Sequence, residues 1–195
     1  MKLYLRDRNA SLVEGWQKSF GPMPGVEVSQ GDIFGRSADA IVSPANSFGF
    51  MDGGIDLVYS EHFGWDLQER LQTKIRNDFA GELPVGLATI VETRHADIPF
   101  LVSAPTMRVP LIVDETVNAY LAFRAALIAV EAHNNSGASR IESILCPGLG
   151  TAVGRMRPDT CARQMRWAFD SIHGQVAYFP SRLGEARDQH YSMLK

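Results

Sequence analysis

Short apolar runs alternate along the chain with longer segments in which apolar residues recur every three or four positions. The short runs have the length of β-strands, and the longer segments have the period of amphipathic helices. This alternation is typical of helices layered on a largely parallel or mixed sheet. The predicted strands are 2–6, 26–30, 39–43, 87–93, 99–104, 140–146 and 175–179.

Helices are predicted in most of the intervals between these strands. The first is capped by Asn9 or Ser11 and ends at Phe20, before a Gly-Pro-Met-Pro-Gly stretch. A long helix is expected from about residue 114 to 134. Its predicted buried stripe consists of Val117, Leu121, Ala125, Ile128 and Ala132. The other predicted helices are 54–62, 66–79 and 158–172, the last with a proline in its first turn.

Composition agrees with one globular domain over residues 1–195. The chain is 45% apolar and 21% charged, and no repeat or linker divides it. A chain of this size buries about 70% of its unfolded surface and needs neither disulfides nor a structural metal. Cys146 and Cys161 match no zinc or redox spacing. We therefore expect two reduced thiols, no metal and no cofactor.

The charge balance restricts the partners. A formal net charge of −3 argues against a protein that holds nucleic acid mainly by its phosphates, although Arg155, Arg157, Arg163 and Arg166 cluster in the sequence. No apolar run approaches the roughly 18 residues of a membrane span, and the N-terminus is too charged for a secretion signal. A cytoplasmic protein without a membrane partner is expected.

Two glycine-containing loops each follow a predicted strand and lead into a predicted helix. They are SPANSFGFMDGG at 43–54 and CPGLGTAVG at 146–154. Helix N-termini present unpaired N–H groups and the positive end of the helix dipole, and glycine lets the backbone approach an anion. In layered α/β folds, ligands bind at the carboxyl ends of the strands. The pattern predicts that both loops enclose one phosphate-bearing ligand, the two sides of a diphosphate.

Two other phosphate-binding motifs fit less well. The spacing of Gly148, Gly150 and Gly154 is close to a dinucleotide-binding fingerprint, but too little chain follows to complete a nucleotide-binding unit. The acidic residue at about the right spacing to bind a ribose is Asp170, and it lies at a predicted helix end, which is not the expected place. The sequence contains no G-x-x-x-x-G-K-[ST] motif. A glycine loop taken alone is often only a structural turn.

The segment GDIFGRSADAIVSPAN at 31–46 resembles the first signature of the macrodomains, which are α/β/α modules that bind ADP-ribose. The spacings from Asp32 to Asn46 and from Asn46 to Asp56 agree with the MacroD-type branch, and CPGLGTAVG resembles the second, phosphate-binding loop. The resemblance spans about 26–180. It implies a three-layer α/β/α fold with a central mixed, mostly parallel sheet of about six strands.

This resemblance also implies roles for single residues. Asp32 would accept a hydrogen bond from the adenine amino group, the Ile33 N–H would meet a ring nitrogen, and Asn46 would hold the distal ribose. Phe179 is a candidate to stack on adenine, although a phenylalanine at a strand end is often part of the core. The diphosphate would lie between Gly53, Gly54 and Ile55 on one side and Gly148, Gly150, Thr151, Ala152, Val153 and Gly154 on the other.

In MacroD-type hydrolases the residue equivalent to Asp56 helps to place a water near the anomeric carbon, while Asn46 would orient the ribose. Asp56 fits equally well as a helix-start residue. The resemblance implies hydrolysis of ADP-ribosyl linkages on a protein or nucleic acid. The alternatives are a non-catalytic ADP-ribose reader, processing of ADP-ribose 1″-phosphate, or a related protein that has lost the ligand. The expected partner is ADP-ribose or an ADP-ribosylated macromolecule, with nucleic acid only as a modified substrate, and the protein is expected to be a monomer.

The sequence departs from the MacroD pattern in ways that indicate a divergent, bacterial or phage member. Met51 and Asp52 interrupt the glycine run of the first loop, and Ala152 replaces a glycine, which requires that its φ is not positive. The segments 83–91 and 103–108 are similar to the DNA-deADP-ribosylating antitoxins and terminal ADP-ribose glycohydrolases. The lysine on which that group relies is missing from 50–64.

Overall fold

The computed structural model describes residues 1–137, 139–174 and 179–195. Within these residues, six strands form one sheet and six helices pack around it. The strands are β1 (Lys2–Asp7), β2 (Val26–Gln30), β3 (Ala40–Ser43), β4 (Thr89–Glu92), β5 (Phe100–Ser103) and β6 (Ser143–Cys146). The helices are α1 (Ala10–Phe20), α2 (Gly54–Phe63), α3 (Asp66–Asp78), α4 (Asn118–Asn135), α5 (Pro158–His173) and α6 (Leu183–Leu194).

The sheet has the order β2-β1-β6-β3-β5-β4. Only β4 runs antiparallel to its neighbour, and the other pairs are parallel. The carboxyl ends of β1, β6, β3 and β5 therefore lie along one edge of the sheet. The predicted mixed, mostly parallel sheet is confirmed, and its topology brings the loops after β3 and β6 next to each other.

Two hydrophobic cores lie on opposite faces of the sheet and make the fold three-layered. One core joins the strands to α1, α4 and α5 through buried residues such as Trp16, Phe123 and Met165. The other joins them to α2 and α3 through residues such as Tyr59 and Leu71. Because β3 and β6 are covered on both faces, each contains three consecutive apolar residues rather than an alternating pattern.

Several predicted details are corrected by the structure. The α1 cap is Asn9, whose side-chain oxygen accepts hydrogen bonds from the N–H groups of Ser11 and Leu12. Helix α4 begins at Asn118 rather than near residue 114, because Thr116 first forms a turn with Val113. The predicted α4 stripe is wrong except for Ala125. The buried residues of α4 are Ala119, Ala122, Phe123, Ala125, Ala126, Leu127 and Val130.

The C-terminal part of the chain differs most from the prediction. Helix α6 was not predicted, and its only buried residue is Met193, so its sequence carries little periodic signal. Most of the strand predicted at 175–179 lies outside the described residues, and Phe179 itself is in no regular element. None of the helices in the described part of the chain combines the length and the hydrophobicity of a membrane span.

Candidate functional site

The loop after β3 and the loop after β6 line one cavity at the carboxyl edge of the sheet. We call residues 43–54 loop 1, residues 146–154 loop 2, and the space between them, of about 430 Å³, the main cavity. Asn46 and Thr151 both line it. The predicted meeting of the two loops in space is confirmed. Of the predicted site residues, the main cavity is lined by Asn46, Gly53, Gly54, Ile55, Asp56, Gly148, Gly150, Thr151, Ala152, Val153 and Gly154.

A smaller side cavity of about 240 Å³ adjoins the main one. Asp32 and Ile33 line it, together with Arg6 and Arg8. The two cavities have four lining residues in common, which are Asp7, Gly54, Ile55 and Pro147. Asp32 and Ile33, which are predicted to bind adenine, therefore lie at one end of an extended cleft. The residues predicted to bind the diphosphate and distal ribose lie at the other end.

Asp32 is held by contacts to both carboxylate oxygens. One oxygen accepts a hydrogen bond of 2.9 Å from the Phe34 N–H and so caps a short 3₁₀ turn, Ile33–Gly35. The other oxygen forms an ion pair with Arg8. The hydrogen bond from Arg8, followed by the one from the Phe34 N–H, lowers the pKa of Asp32 below its ordinary value. Asp32 is thus an ionised hydrogen-bond acceptor at the side cavity.

The side chain of Asn46 ties loop 1 together. Its oxygen accepts hydrogen bonds from the N–H groups of Phe48 and Phe50, at 3.1 and 3.2 Å, and its amide nitrogen donates to the Phe50 carbonyl at 2.8 Å. Both lone pairs of the amide oxygen are therefore used, and one N–H remains for a ligand. Asn46 can donate to a hydroxyl in the main cavity without releasing the loop.

Met51 and Asp52, the two residues of loop 1 that depart from the MacroD pattern, have opposite environments. Met51 is fully buried, its N–H donates to Gln68 at 2.7 Å, and its carbonyl accepts from the Ser60 hydroxyl at 2.8 Å. Asp52 is exposed and lines the main cavity. Met51 therefore anchors loop 1 to α2 and α3, whereas Asp52 places a carboxylate at the entrance of the cavity.

The segment that follows β5 contacts loop 1 and holds its backbone in place. Thr106 donates through its N–H to the Ala45 carbonyl and through its hydroxyl to the Pro44 carbonyl, at 3.1 and 3.0 Å. Arg108 pairs with Glu82 through two nitrogens and lies over the Phe48 ring. The segment similar to the antitoxin branch thus fixes the position of loop 1.

The first turn of α2 presents backbone donors to the main cavity. No side chain caps it, and its N-terminal residues Gly53, Gly54 and Ile55 all line the cavity. Gly54 has a φ of +58°, a value that disfavours any residue with a Cβ. The N–H groups of an uncapped helix start attract anions.

Asp56 follows this turn and is only 7% exposed. Its Oδ1 accepts a hydrogen bond of 2.5 Å from the Ser43 hydroxyl. Burial raises the pKa of Asp56 to about 7, and the hydrogen bond from Ser43 opposes that rise. Asp56 is one of the residues that line the main cavity, and a pKa of about 7 allows its carboxyl to take up or release a proton near neutral pH.

Loop 2 keeps its backbone close to the cavity by tight packing. Gly150 has a φ of +70°. A Cβ on Gly154 would lie 2.6 Å from the Gly150 carbonyl oxygen and from a methyl group of Val113. Within loop 2 the positive φ belongs to Gly150 and not to Ala152, and the next positive φ is that of Arg155, just after the loop. Ala152 is therefore accommodated without the strain that the missing glycine suggested.

The remaining predicted residues lie away from the cleft or are chemically inert. The side chain of Phe179 is 90% exposed and lines neither cavity, so its stacking on adenine stays a prediction. Cys146 and Cys161 are buried free thiols. Burial raises the pKa of both, that of Cys161 to about 12, which keeps the thiols protonated.

Sequence reasoning missed the roles of three residues, two that line the cleft and one, Ser43, that is buried beside it. Asp7 lines both cavities and accepts hydrogen bonds from the N–H groups of Asn9 and Gly148. Arg8 pairs with Asp32, and Ser43 with Asp56. Asp7 ends β1 and Ser43 ends β3. Because the carboxyl ends of parallel strands share one edge, their position after the strands was a usable signal.

The sequence matches the model of the Macro domain over residues 42–165. This range covers more than half of the chain and includes both loops. The chain belongs to the macro domain family. A protein of Aeropyrum pernix, itself uncharacterized, is 33% identical to it over 86% of this chain and 82% of that protein.

Solved macrodomains share its fold. The macrodomain of Mycobacterium tuberculosis DarG superposes with a TM-score of 0.59 at 18% identity, covering 74% of this chain and 89% of the other. A mutant macrodomain of Oceanobacillus iheyensis, solved with ADPR, gives a TM-score of 0.59 at 20% identity, covering 84% and 86%. At such identities the likeness establishes the architecture of this macro domain and not its chemistry.

Proposed function

We propose that this macro domain binds ADP-ribose and hydrolyses ADP-ribosyl linkages on a protein or nucleic acid. The observation that carries the proposal is the cleft itself. Uncapped backbone donors and a glycine loop face each other across the main cavity, Asp32 lies at one end, and the buried Asp56 lies at the other.

The ligand follows from what lines each cavity. The side cavity offers an ionised acceptor, Asp32, beside the Ile33 backbone, which suits the amino group and a ring nitrogen of adenine. The residues lining the main cavity include three carboxylates and neither lysine nor arginine. A diphosphate there would depend on the backbone N–H groups of residues 53–55 and 150–154 for its stabilisation.

Hydrolysis requires a water and a group that takes its proton. In the proposed reaction, a bond forms between the water oxygen and the anomeric carbon as the bond to the acceptor breaks. Asp56 takes the proton of the water, the acceptor leaves with a proton from solvent, and the free N–H of Asn46 orients the ribose. A pKa of about 7 leaves Asp56 ionised in a large fraction of molecules at neutral pH.

A reader without turnover is the second candidate, and one observation favours it. The oxygen of Asn46 is committed to loop 1, so only one N–H remains to act on a ribose. ADP-ribose binding would be unaffected by this, because Asp32 and the backbone donors supply the other contacts.

Calorimetry with ADP-ribose tests the binding half of the proposal. Wild type should bind, and Asp32→Ala should bind at least about tenfold more weakly because an ionised acceptor is lost. The control is Thr160→Val, which alters a buried residue of α5 that lines neither cavity. A folded wild-type sample that gives no heat at millimolar ligand would rule out ADP-ribose binding.

Release of ADP-ribose from an ADP-ribosylated protein and from ADP-ribosylated DNA tests the catalytic half. We expect release by wild type and Thr160→Val, with a loss of about 100-fold or more in Asp56→Ala and in Asn46→Ala. Equal release by wild type and both variants would reject the assignment of Asn46 and Asp56. Binding without release from either substrate would identify a reader.

A further inference from the structure

The ends of β3 and β5 place two buried serines side by side, and one of them bonds Asp56. Ser43 ends β3, Ser103 ends β5, and the two are paired in register in the parallel sheet. Both are completely buried. Paired residues of neighbouring strands point to the same face, and the strands are about 4.8 Å apart. The two hydroxyl groups therefore face the same layer of the protein.

That layer is α2. Ser43 donates its hydroxyl proton to Oδ1 of Asp56, and one turn later the Tyr59 hydroxyl donates to the Val42 carbonyl at 3.1 Å. These contacts hold the first turn of α2 against the end of β3. Ser43 thus occupies one carboxylate oxygen, Oδ1, which leaves Oδ2 of Asp56 for a water or a ligand.

The hydroxyl of Ser103 is available for a new hydrogen bond. Its Oγ is buried and has no hydrogen-bond partner among the described residues. An unpaired hydroxyl in a protein interior costs free energy, so a partner within reach is favoured. Ser43 offers one, because it uses its single proton on Asp56 and keeps lone pairs that can accept. Rotation of Ser103 about its χ1 angle moves its hydroxyl among staggered positions on this face.

We propose that Ser43 and Ser103 are positioning residues that act as a hydroxyl pair, with Ser103 donating to Ser43 and Ser43 donating to Asp56. The pair fixes the rotamer of the carboxylate and stabilises its ionised form. This inference rests on the proposed function for its catalytic meaning, but the pairing itself is independent of turnover. The direction of the effect agrees with the electrostatics of the site, since the hydrogen bond from Ser43 lowers the pKa that burial raises.

The test is an NMR titration of the Asp56 side-chain carboxyl in ¹³C-aspartate-labelled protein, assigned with Asp56→Asn. The wild-type midpoint should lie near pH 7. Ser43→Ala should raise it by about one pH unit, because a hydrogen bond to a charged group is lost. Ser103→Ala should raise the midpoint by less, since it removes only the hydrogen bond from Ser103 to Ser43 and leaves the bond from Ser43 to Asp56. Ser43→Thr keeps a hydroxyl and should restore a midpoint close to that of wild type.

Thr160→Val is the matched control, because the Thr160 hydroxyl is also buried, has no hydrogen-bond partner in the described part of the chain, and lies in α5. Its Asp56 midpoint should equal that of wild type. Midpoints in Ser43→Ala and Ser103→Ala that equal the control would overturn the proposal. If the Asp56 midpoint shifted in Ser43→Ala but not in Ser103→Ala, Ser103 would not be a positioning residue.

The pH dependence of ADP-ribose release provides the second readout. Its rising limb should move to higher pH with the NMR midpoint in both alanine variants, whereas a purely structural role would lower activity at every pH. If wild type releases no ADP-ribose, the catalytic half of the proposed function fails, and the titration still decides whether the serine pair exists.

Discussion

At the scale of single residues, Asp56 couples the site to stability. Its pKa is raised in the folded protein, so the stability that it contributes is fully present below its ordinary value of 3.8 and is lost as the pH rises through about 7. Asp56→Asn keeps the shape and removes the charge. The free energy of unfolding of Asp56→Asn minus that of wild type should therefore grow by about 2 kcal/mol between pH 5 and pH 8.

Urea unfolding of both proteins at pH 5, 6.5 and 8 measures this difference. A difference that stays constant with pH would mean that Asp56 has an ordinary pKa. Acid-base catalysis by Asp56 would then lack its physical basis.

Gly154 is a second residue whose role can be tested alone. A Cβ there would lie 2.6 Å from a backbone oxygen, which cannot move aside as a side chain can. Gly154→Ala should cost about 1–3 kcal/mol of the free energy of unfolding and weaken ADP-ribose binding. The control is Gly184→Ala, where the added Cβ meets no atom within 4 Å. Loss of stability in neither variant would contradict the tight packing of loop 2.

At the scale of elements, α1 depends on one cap. Asn9 accepts two N–H bonds at the start of the helix, whereas Ser11 is an exposed residue inside its first turn. Asn9→Ala should lower the free energy of unfolding by about 1 kcal/mol, and Ser11→Ala by a few tenths at most. Chemical unfolding of the two variants measures the difference. The reverse order would show that the cap is misassigned.

At the scale of the whole molecule, the two cavities should act as parts of one cleft. ADP reaches from the Asp32 end to the phosphate-binding loops but lacks the distal ribose. Asp32→Ala should therefore weaken binding of both ADP and ADP-ribose, while Asn46→Ala should weaken only ADP-ribose. Calorimetry of each variant with each of the two ligands tests this. Equal effects of Asn46→Ala on both ligands would place the distal ribose elsewhere.

Ligand binding should also stabilise the whole fold, because loops from β3 and β6 hold the same molecule. At a free ADP-ribose concentration 100 times the dissociation constant, the gain is about 2.7 kcal/mol, which for a chain of this length raises the melting temperature by roughly 5–10 °C. Thermal unfolding with and without ligand measures it. Adenine alone, which does not reach loop 2, should bind more weakly and therefore give a smaller rise than ADP-ribose at the same free concentration.

The sequence by itself indicated where the six described strands lie along the chain, because most of them are short apolar runs bounded by polar residues or turn signals. The seventh strand, predicted at 175–179, lies mostly outside the described residues. The sequence also predicted the positions of both loops, because glycine, proline and asparagine favour turns through their local backbone conformation. It misplaced the buried stripe of α4. Two helical faces of that segment are apolar, and only packing against α5 and the sheet selects the face with Phe123 and Val130. Helix α6 has a single buried residue, so its sequence offered almost no periodic signal.

Only the tertiary structure decided which side chains act together. Asp32 and Arg8, Asp56 and Ser43, and Asp7 and Gly148 are each brought together by strand order, which no local pattern encodes. The raised pKa of Asp56 has the same origin, because a carboxylate is an ordinary acid in the sequence and becomes a weak one when the fold removes it from water. Local chemistry thus specified the parts of the cleft, and burial and strand order specified their contacts.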